Sequence, residues 1–219
     1  MRTLLAALSV LLLQPVAATS QEKTPESATT RSSVKARQVL NAAAQAHGGL
    51  DKLRGLKGLH RTGKAKTYTQ GQGLGPDAPP IEREVETEQW LDFAGSRVRT
   101  ENKLQLAGLP LHTRAVLSGD AGYGWNAATG ASTRFIPTGT TGLKNTLRRD
   151  PARIVVNALA RVEAARSLGP DTVDGKAQDV VAYADTDGTL LTLSFDSDTH
   201  LLTKVETLND TAVLGDTLN

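Results

Sequence analysis

Between residues 59 and 136, apolar and polar side chains alternate with a period of two, and turn-forming residues recur between the short runs. This alternation predicts antiparallel β-strands that each bury one face. The clearest pair is a hairpin over residues 81–106, with residues 94–95 as a two-residue loop. In that register Leu91 lies opposite Val98, and charged and apolar side chains fall on separate faces of both strands.

Helical spacing replaces this alternation in three places. Ser33 is the predicted N-cap of a helix that ends at the glycine pair 48–49, and a short helical turn follows over residues 50–56. These two segments form a helical arm. A third helix is predicted to begin at residues 150–151, because aspartate caps a helix well and proline fits its first turn. Its apolar positions between residues 154 and 162 all lie on one face.

After the third helix the chain returns to the strand pattern, with turns rich in Asp, Gly and Thr. The pattern predicts a three-stranded meander over residues 177–183, 189–195 and 201–208. Strands and helices do not alternate regularly, which favours the α+β class. We therefore expect a curved, open antiparallel sheet with an N-terminal helical arm and one helix packed on it.

The first 18 residues have the order of a secretory signal peptide. Arg2 precedes an apolar run over residues 4–13 and small residues before Thr19, so we predict cleavage after Ala18. The apolar run is too short to span the bilayer core of about 30 Å. Residues 19–32 are polar and predicted to be a flexible linker. A single β-rich domain follows over residues 33–219. No clear closing element follows its last predicted strand, as expected of a domain that is incomplete at its C-terminus.

Composition narrows the classes of function. The chain has no cysteine, which excludes disulfides, a thiolate nucleophile and cysteine-based metal sites. Its net charge is +2, and removal of Arg2 with the signal peptide leaves 24 basic and 23 acidic residues, or +1. This balance gives no sign of a nucleic-acid partner. With 2 Trp, 3 Tyr and 3 Phe, the core is predicted to consist mainly of aliphatic side chains.

No group of residues in the sequence predicts a catalytic, cofactor-binding or metal-binding site. The four histidines lack the close spacing of metal ligands; they are His47, His60, His112 and His200. Ser32 and Lys35 have the spacing of penicillin-recognising serine enzymes, but the companion motifs are missing. The glycines over residues 71–75 precede a proline-rich stretch rather than the helix that a phosphate-binding loop requires.

Charged clusters are predicted to be solvated surface. Four glutamates share one strand face, partly offset by Arg97, Arg99 and Lys103 across the hairpin; they are Glu82, Glu84, Glu86 and Glu88. The aspartate pairs at 185/187 and 196/198 are incomplete calcium loops and are predicted to be turns. Four arginines near the third helix are predicted to lie on a solvated helix face; they are Arg148, Arg149, Arg153 and Arg161.

Several segments together resemble the N-terminal region of exported metallo-β-lactamase-fold hydrolases. The likeness is carried by residues 46–54, 63–80 and 123–126, and extends to 150–151 and 196–205. It implies a sheet like that of periplasmic lipoprotein carriers, followed in the relatives by a zinc-dependent hydrolase domain. The His-x-His-x-Asp-His zinc motif of that family does not occur in these 219 residues. No catalytic residue is therefore carried over.

Two main hypotheses follow, for a periplasmic or secreted protein without a transmembrane segment after cleavage. The first is a noncatalytic accessory domain or fragment of such a hydrolase, serving docking, dimerisation or substrate guidance. The alternative is a freestanding periplasmic carrier that binds a lipid or other apolar ligand in the curved sheet. A carrier requires a pocket of a few hundred cubic ångströms, whereas an accessory domain can fill that face with its own helix. An independent enzyme has the least support.

Overall fold

Two antiparallel sheets and four α-helices make up the computed structural model, which describes residues 27–68, 82–106, 109–211 and 215–218. The predicted signal peptide and the glycine-rich stretch at 71–75 lie outside these residues. The α+β class, the open antiparallel sheets and the N-terminal helical arm are confirmed. The strands divide into two sheets rather than forming one, and helices pack on both of them.

The first sheet has six strands that pair in chain order. They are β1 (Gly58–Tyr68), β2 (Glu82–Asp92), β3 (Arg97–Leu106), β4 (Leu109–Ser118), β5 (Ala121–Asn126) and β6 (Ser132–Arg134). The predicted register of the β2–β3 hairpin is confirmed, with Leu91 opposite Val98. Its loop has four residues rather than two, because the amides of Phe93 and Ala94 both donate to the carbonyl of Lys57 and do not extend the ladder.

The second sheet has five strands, also paired in chain order. They are β7 (Arg166–Val173), β8 (Lys176–Ala184), β9 (Leu190–Asp196), β10 (Leu202–Thr211) and β11 (Gly215–Leu218). The predicted meander corresponds to β8, β9 and β10 and is confirmed. The sequence pattern did not reveal β7 or β11, which pair with β8 and β10. Both aspartate pairs lie at turns, as predicted.

The N-terminal arm consists of α1 (Ala28–Ala46) and α2 (Leu50–Gly55). The prediction that α1 begins at Ser33 is wrong, because the Ser27 hydroxyl accepts from the amide of Thr30 and caps the helix earlier. Residues 28–32 of the predicted linker are therefore helical. One face of α1 is buried against the second sheet and the fourth helix; it carries Ala36, Val39, Leu40, Ala43 and Ala44.

The main core lies between the second sheet and the helices α1 and α4 (Pro151–Ala160). As predicted, Asp150 caps α4, since its Oδ1 accepts from the amide of Ala152 at 3.0 Å. Leu191, Leu193 and Phe195 point from β9 into this core and are fully buried. Burial of such side chains contributes about 1.5–3 kcal/mol each. The core is largely aliphatic, in agreement with the composition, with Tyr183 and Phe195 as its large rings.

A smaller core joins the first sheet to α3 (Pro137–Arg148), a helix that the sequence pattern did not reveal. Leu143 of α3 packs against Leu91, Val98 and Leu117 near the start of the sheet. Since α4 begins two residues after Arg149, the α3–α4 junction connects the packing of one sheet to that of the other.

Buried charges tie this junction to the β8–β9 turn. Arg148 and Arg149 both donate to Asp187, at 2.6 and 2.9 Å, and both Nε atoms face the buried carboxylate of Asp185. Burial opposes ionisation of Asp187, but hydrogen bonds from Thr189 and Arg148 lower its pKa to about 2. The prediction of a solvated arginine face is therefore wrong for these two residues, because carboxylates of the second sheet pair with them.

The remaining two arginines also bind protein atoms. Arg153 donates to the carbonyls of Leu53 and Arg54 at the end of α2 and lies 5.3 Å from the ring of Phe93. Arg161 donates to the carbonyl of Ala184 at 2.6 Å. These contacts fasten α4 to α2 and to β8.

Candidate functional site

The register of the first sheet sorts its side chains onto two faces. We call the face that carries Leu59, Leu91, Val98 and Leu117 the inner face, because α3 packs on it. The opposite, outer face carries Trp90, Arg99, Glu101 and Arg114. Because side chains alternate along a strand, each face can be followed row by row across β1 to β5.

A groove of about 380 Å³ lies on the inner face beside α3. Its lining includes Asn102, Thr113, Ala115, Thr133 and Phe135. Phe135 precedes α3 and forms the wall on that side, and its amide donates to the carbonyl of Gly122 at 2.8 Å. The volume lies within the range of about 300–1,000 Å³ that is usual for small-molecule sites.

The ring of Phe135 can approach the sheet closely because it packs against glycines of β5. A Cβ atom at Gly124 would be 2.6 Å from Cε1 of this ring, and one at Gly122 would be 3.1 Å from its Cδ2. A contact of 2.6 Å essentially never occurs for a Cβ atom in folded proteins, and one of 3.1 Å is tighter than most such contacts. Glycine at these two positions of β5 therefore determines where the groove wall stands.

The next two rows of the inner face form a polar band, consisting of Gln89, Thr100, Thr87 and Asn102. The Thr87 hydroxyl donates to Oδ1 of Asn102 at 2.9 Å, and the Gln89 amide donates to the Thr100 hydroxyl at 3.1 Å. The Gln89 oxygen in turn accepts from Nε of Arg61 at 2.8 Å. Because each of these side chains has a hydrogen-bond partner in the protein, they lose little when water above them is displaced. The band can therefore lie beneath an apolar ligand at small cost.

Beyond the polar band lies an apolar row made of Ala65, Val85, Leu104 and Leu111. Val85, Leu104 and Leu111 are half-buried, and Ala65 on the edge strand is exposed. No described helix covers this row; the contacts of α3 are with β3, β4, β5 and α4 near its own end of the sheet. The inner face therefore offers carbon surface at both ends, with the polar band between.

The outer face is organised around one carboxylate, Glu101, which is 9% exposed. Arg99 donates to it through Nε and Nη2, Arg114 Nε lies at 2.6 Å, and His112 Nε2 at 3.2 Å. The hydrogen bond from Arg99 lowers the pKa of Glu101 to about 2, with Arg114 and His112 acting in the same direction against burial. Strands β3 and β4 are thus joined by a charged network.

Both tryptophans of the chain flank this network. The Arg99 guanidinium lies 4.5 Å from the Trp90 ring, and that of Arg114 lies 4.9 Å from the Trp125 ring. His60 stacks on Trp90 with ring centroids 4.9 Å apart. Cation–π contacts of this kind contribute about 0.5–1 kcal/mol at exposed sites. The outer face is therefore a preorganised surface.

We expect Glu101→Gln to destabilise the fold by about 1 kcal/mol at pH 7, through loss of charged hydrogen bonds. A folded-state pKa of about 2, below the ordinary 4.5, means that the carboxylate stabilises the fold above about pH 4.5 and loses this effect as the pH falls towards 2. The difference between wild type and variant should therefore shrink over that interval.

Urea unfolding at pH 7, 4 and 3 measures this difference. Glu84→Gln is the control, because Glu84 is exposed and no ion pair of it occurs within the described part of the chain. A gap between wild type and Glu101→Gln that stays constant with pH would contradict the assigned role of the carboxylate.

The residues singled out in the sequence are spread over the fold. The Ser32 hydroxyl donates to the carbonyl of Ser167, and Lys35 pairs with Asp179 at 3.1 Å. His47 caps α1, His60 and His112 belong to β1 and β4, and His200 lies in the β9–β10 turn. In the described ranges, no three His, Asp or Glu side chains are grouped so as to hold a metal ion.

The glutamates of β2 lie on the outer face, and three of them pair with β1 rather than with β3 as expected. The carboxylate oxygen Oε1 of Glu82 lies 2.6 Å from Nζ of Lys66, and that of Glu86 lies 2.8 Å from Nζ of Lys64. Oε1 of Glu88 lies 2.8 Å from Nε2 of His60. The pairing of β1 with β2 was not predicted from the sequence, so these partners were missed. The Glu101 network was missed for the same reason, because it depends on the pairing of β3 with β4.

Comparisons with known proteins find little sequence similarity to this chain. No protein-family model matches it, and no curated protein matches it significantly in sequence. Among solved structures it is similar to a DUF1329 family protein from Desulfovibrio piger, with a TM-score of 0.44 and 10% sequence identity. That match covers 80% of this chain and 73% of the other. Among the described residues, no helix has the length and apolar character needed to cross a membrane.

Proposed function

We propose that this chain is an exported, noncatalytic binding protein that carries a lipid or another elongated apolar ligand on the inner face of its first sheet. The observation that carries the proposal is the unequal covering of the two sheets. The helices α1 and α4 fill the inner side of the second sheet with buried side chains. On the first sheet, α3 covers one end and leaves the groove of about 380 Å³ beside Phe135.

The chemistry of the inner face supports an apolar or amphipathic ligand. Carbon surface is present at Phe135 and Ala115 near α3 and again at the apolar row. Between these, the polar band offers methyl groups of threonine and amides that already have partners. Apolar walls with a few polar groups that fix orientation are typical of small-molecule sites.

Thr113→Phe should fill the groove and weaken binding of a fluorescent long-chain fatty acid by at least about tenfold, since its ring would occupy the ligand's space. Titration of the purified protein with that probe measures the effect. Thr62→Phe is the matched control, because Thr62 is exposed on the outer face of β1 and should not alter binding. Equal affinities of the two variants, or no binding by wild type, would contradict the proposal.

Lipid extraction and mass spectrometry of protein purified from its own compartment test the proposal without a chosen probe. We expect a stoichiometric amphiphile in wild type and its loss in Thr113→Phe. An extract of wild type without such a molecule would count against a carrier.

The second candidate is an accessory domain of a metallo-β-lactamase-fold hydrolase, as the sequence resemblance implies. The outer face favours it, because tryptophan and arginine are enriched in protein interfaces and Trp90, Arg99, Arg114 and Trp125 lie together there. Sequencing the DNA downstream of the Asn219 codon tests this candidate. An in-frame His-x-His-x-Asp-His motif would support it, and a stop codon without one would contradict it.

A further inference from the structure

Arg83 lies on the inner face at the end of the sheet farthest from α3. It stands opposite Thr67 on β1 and one row beyond Val85, so its neighbours on this face are the side chains of the apolar row. Arg83 is half-buried. Within the described residues, its guanidinium group has neither a hydrogen bond nor an ion pair.

The carboxylates nearest in sequence do not serve Arg83. Glu82 and Glu84 alternate with it along β2 and lie on the outer face, where Glu82 pairs with Lys66 at 2.6 Å. Arg83 is therefore a cation on the ligand side of the sheet, whereas its acidic neighbours lie on the other side. This places a positive charge without a protein partner at one end of the inner face. The other arginine on this face, Arg61 opposite Gln89, already pairs with Asp150 at 2.9 Å and donates to Gln89 at 2.8 Å.

A half-buried guanidinium group without a partner in the protein has donors that an anionic ligand can use. Its planar array of donors matches a carboxylate or phosphate, which it can bind through two parallel hydrogen bonds. We infer that the ligand of the inner face is an anionic amphiphile whose terminal carboxylate or phosphate binds Arg83 and whose acyl chain extends towards Phe135. This inference rests on the proposed carrier function and names its ligand class.

The dimensions of the inner face suit such a ligand. Positions 83 and 89 on β2 are six residues apart, which is about 20 Å of extended strand. A bilayer core about 30 Å thick contains two acyl chains end to end, so one chain is about 15 Å long. With its head at Arg83, a chain of about 15 Å extends across the apolar row to the row of Thr87, which is four residues or about 13 Å away. In that row, Asn102 and Thr113 line the groove.

Three ligands of equal chain length distinguish the contribution of the head-group charge to affinity from that of the alkyl chain. They are hexadecanoate, hexadecyl phosphate and hexadecanol. We expect Arg83→Gln to weaken binding of the two anions by about 10- to 100-fold and to leave hexadecanol unchanged, and Arg83→Lys to retain part of the affinity. Arg134→Gln is the control, because it removes one exposed positive charge on β6 far along the sheet from Arg83. Isothermal titration calorimetry at two salt concentrations measures all four proteins.

The outcomes distinguish this inference from the proposed carrier function on which it rests. If wild type binds hexadecanol as tightly as hexadecanoate and Arg83→Gln changes neither, the anionic head is wrong and the carrier function stands. If wild type binds none of the three ligands, both are overturned. A loss of affinity as large in Arg134→Gln as in Arg83→Gln would show a general charge effect and would overturn the assigned contact. Equal thermal unfolding midpoints of the variants show that each compared protein is folded.

Discussion

Replacing Asp185 by alanine should lower the free energy of unfolding by about 3–5 kcal/mol, the usual cost of removing one partner of a buried ion pair. Its carboxylate is 3% exposed and lies 3.4 Å from Nε of Arg148 and 3.6 Å from Nε of Arg149. Without it, Asp187 is the one carboxylate of the described structure that still pairs with these two half-buried guanidinium groups. Because these groups end α3, the junction between the two sheets is weakened directly.

Asp196→Ala is the matched control for this variant. Both aspartates accept from a turn amide, Asp185 from Thr186 at 2.7 Å and Asp196 from Thr199 at 2.8 Å. Asp196 has no arginine partner in the described structure, so its replacement should cost about 1 kcal/mol, the value of a turn hydrogen bond. Urea unfolding followed by circular dichroism measures both. Equal losses would show that the arginine contacts add nothing to the stability.

Gly124→Val should destabilise the protein by about 1–3 kcal/mol, the cost of inserting extra carbon atoms into a packed contact. The new Cβ would meet the Phe135 ring at 2.6 Å, so the ring must leave its position on β5. We also expect weaker binding of a fatty acid probe, because the same ring is a wall of the groove.

A double-mutant cycle with Phe135→Ala tests whether the ring is the cause. Since alanine removes the atoms that valine would meet, the two changes together should cost less than the sum of the single changes. Gly63→Val on the edge strand is the control, because nothing lies within 4 Å of its added Cβ. Additive losses would place the strain somewhere other than at Phe135.

The register of the β2–β3 hairpin could be predicted because the residue patterns of both strands indicate the same alignment. Charged and apolar positions alternate on both β2 and β3, so a single alignment satisfies both faces, and the wrong loop length did not disturb it. The start of α4 was equally clear, because Asp150 and Pro151 are a cap and a first-turn residue. Local chemistry was sufficient in both places.

The elements that were missed depend on distant contacts. The sequence of α3 contains Gly139, Gly142 and four threonines, which are poor helix formers, so its stability comes from packing of Leu143 on the sheet. Gly139 also allows the close contact with Phe135, at 3.3 Å from its Cβ position. The Glu101 network and the position of Arg83 likewise require the order of neighbouring strands, which alternation within one strand does not contain.

Every ladder of both sheets joins strands that are consecutive in the chain. Folding can therefore proceed by adding one hairpin at a time. Apart from the 13 residues between β1 and β2, the connections between paired strands are short, which favours fast folding. For a protein that crosses a membrane as an unfolded chain, as the predicted signal peptide implies, this order has a practical value. Each sheet can begin to form while later segments are still in transit, before the long-range contacts of α1 with β7 and β8 are available.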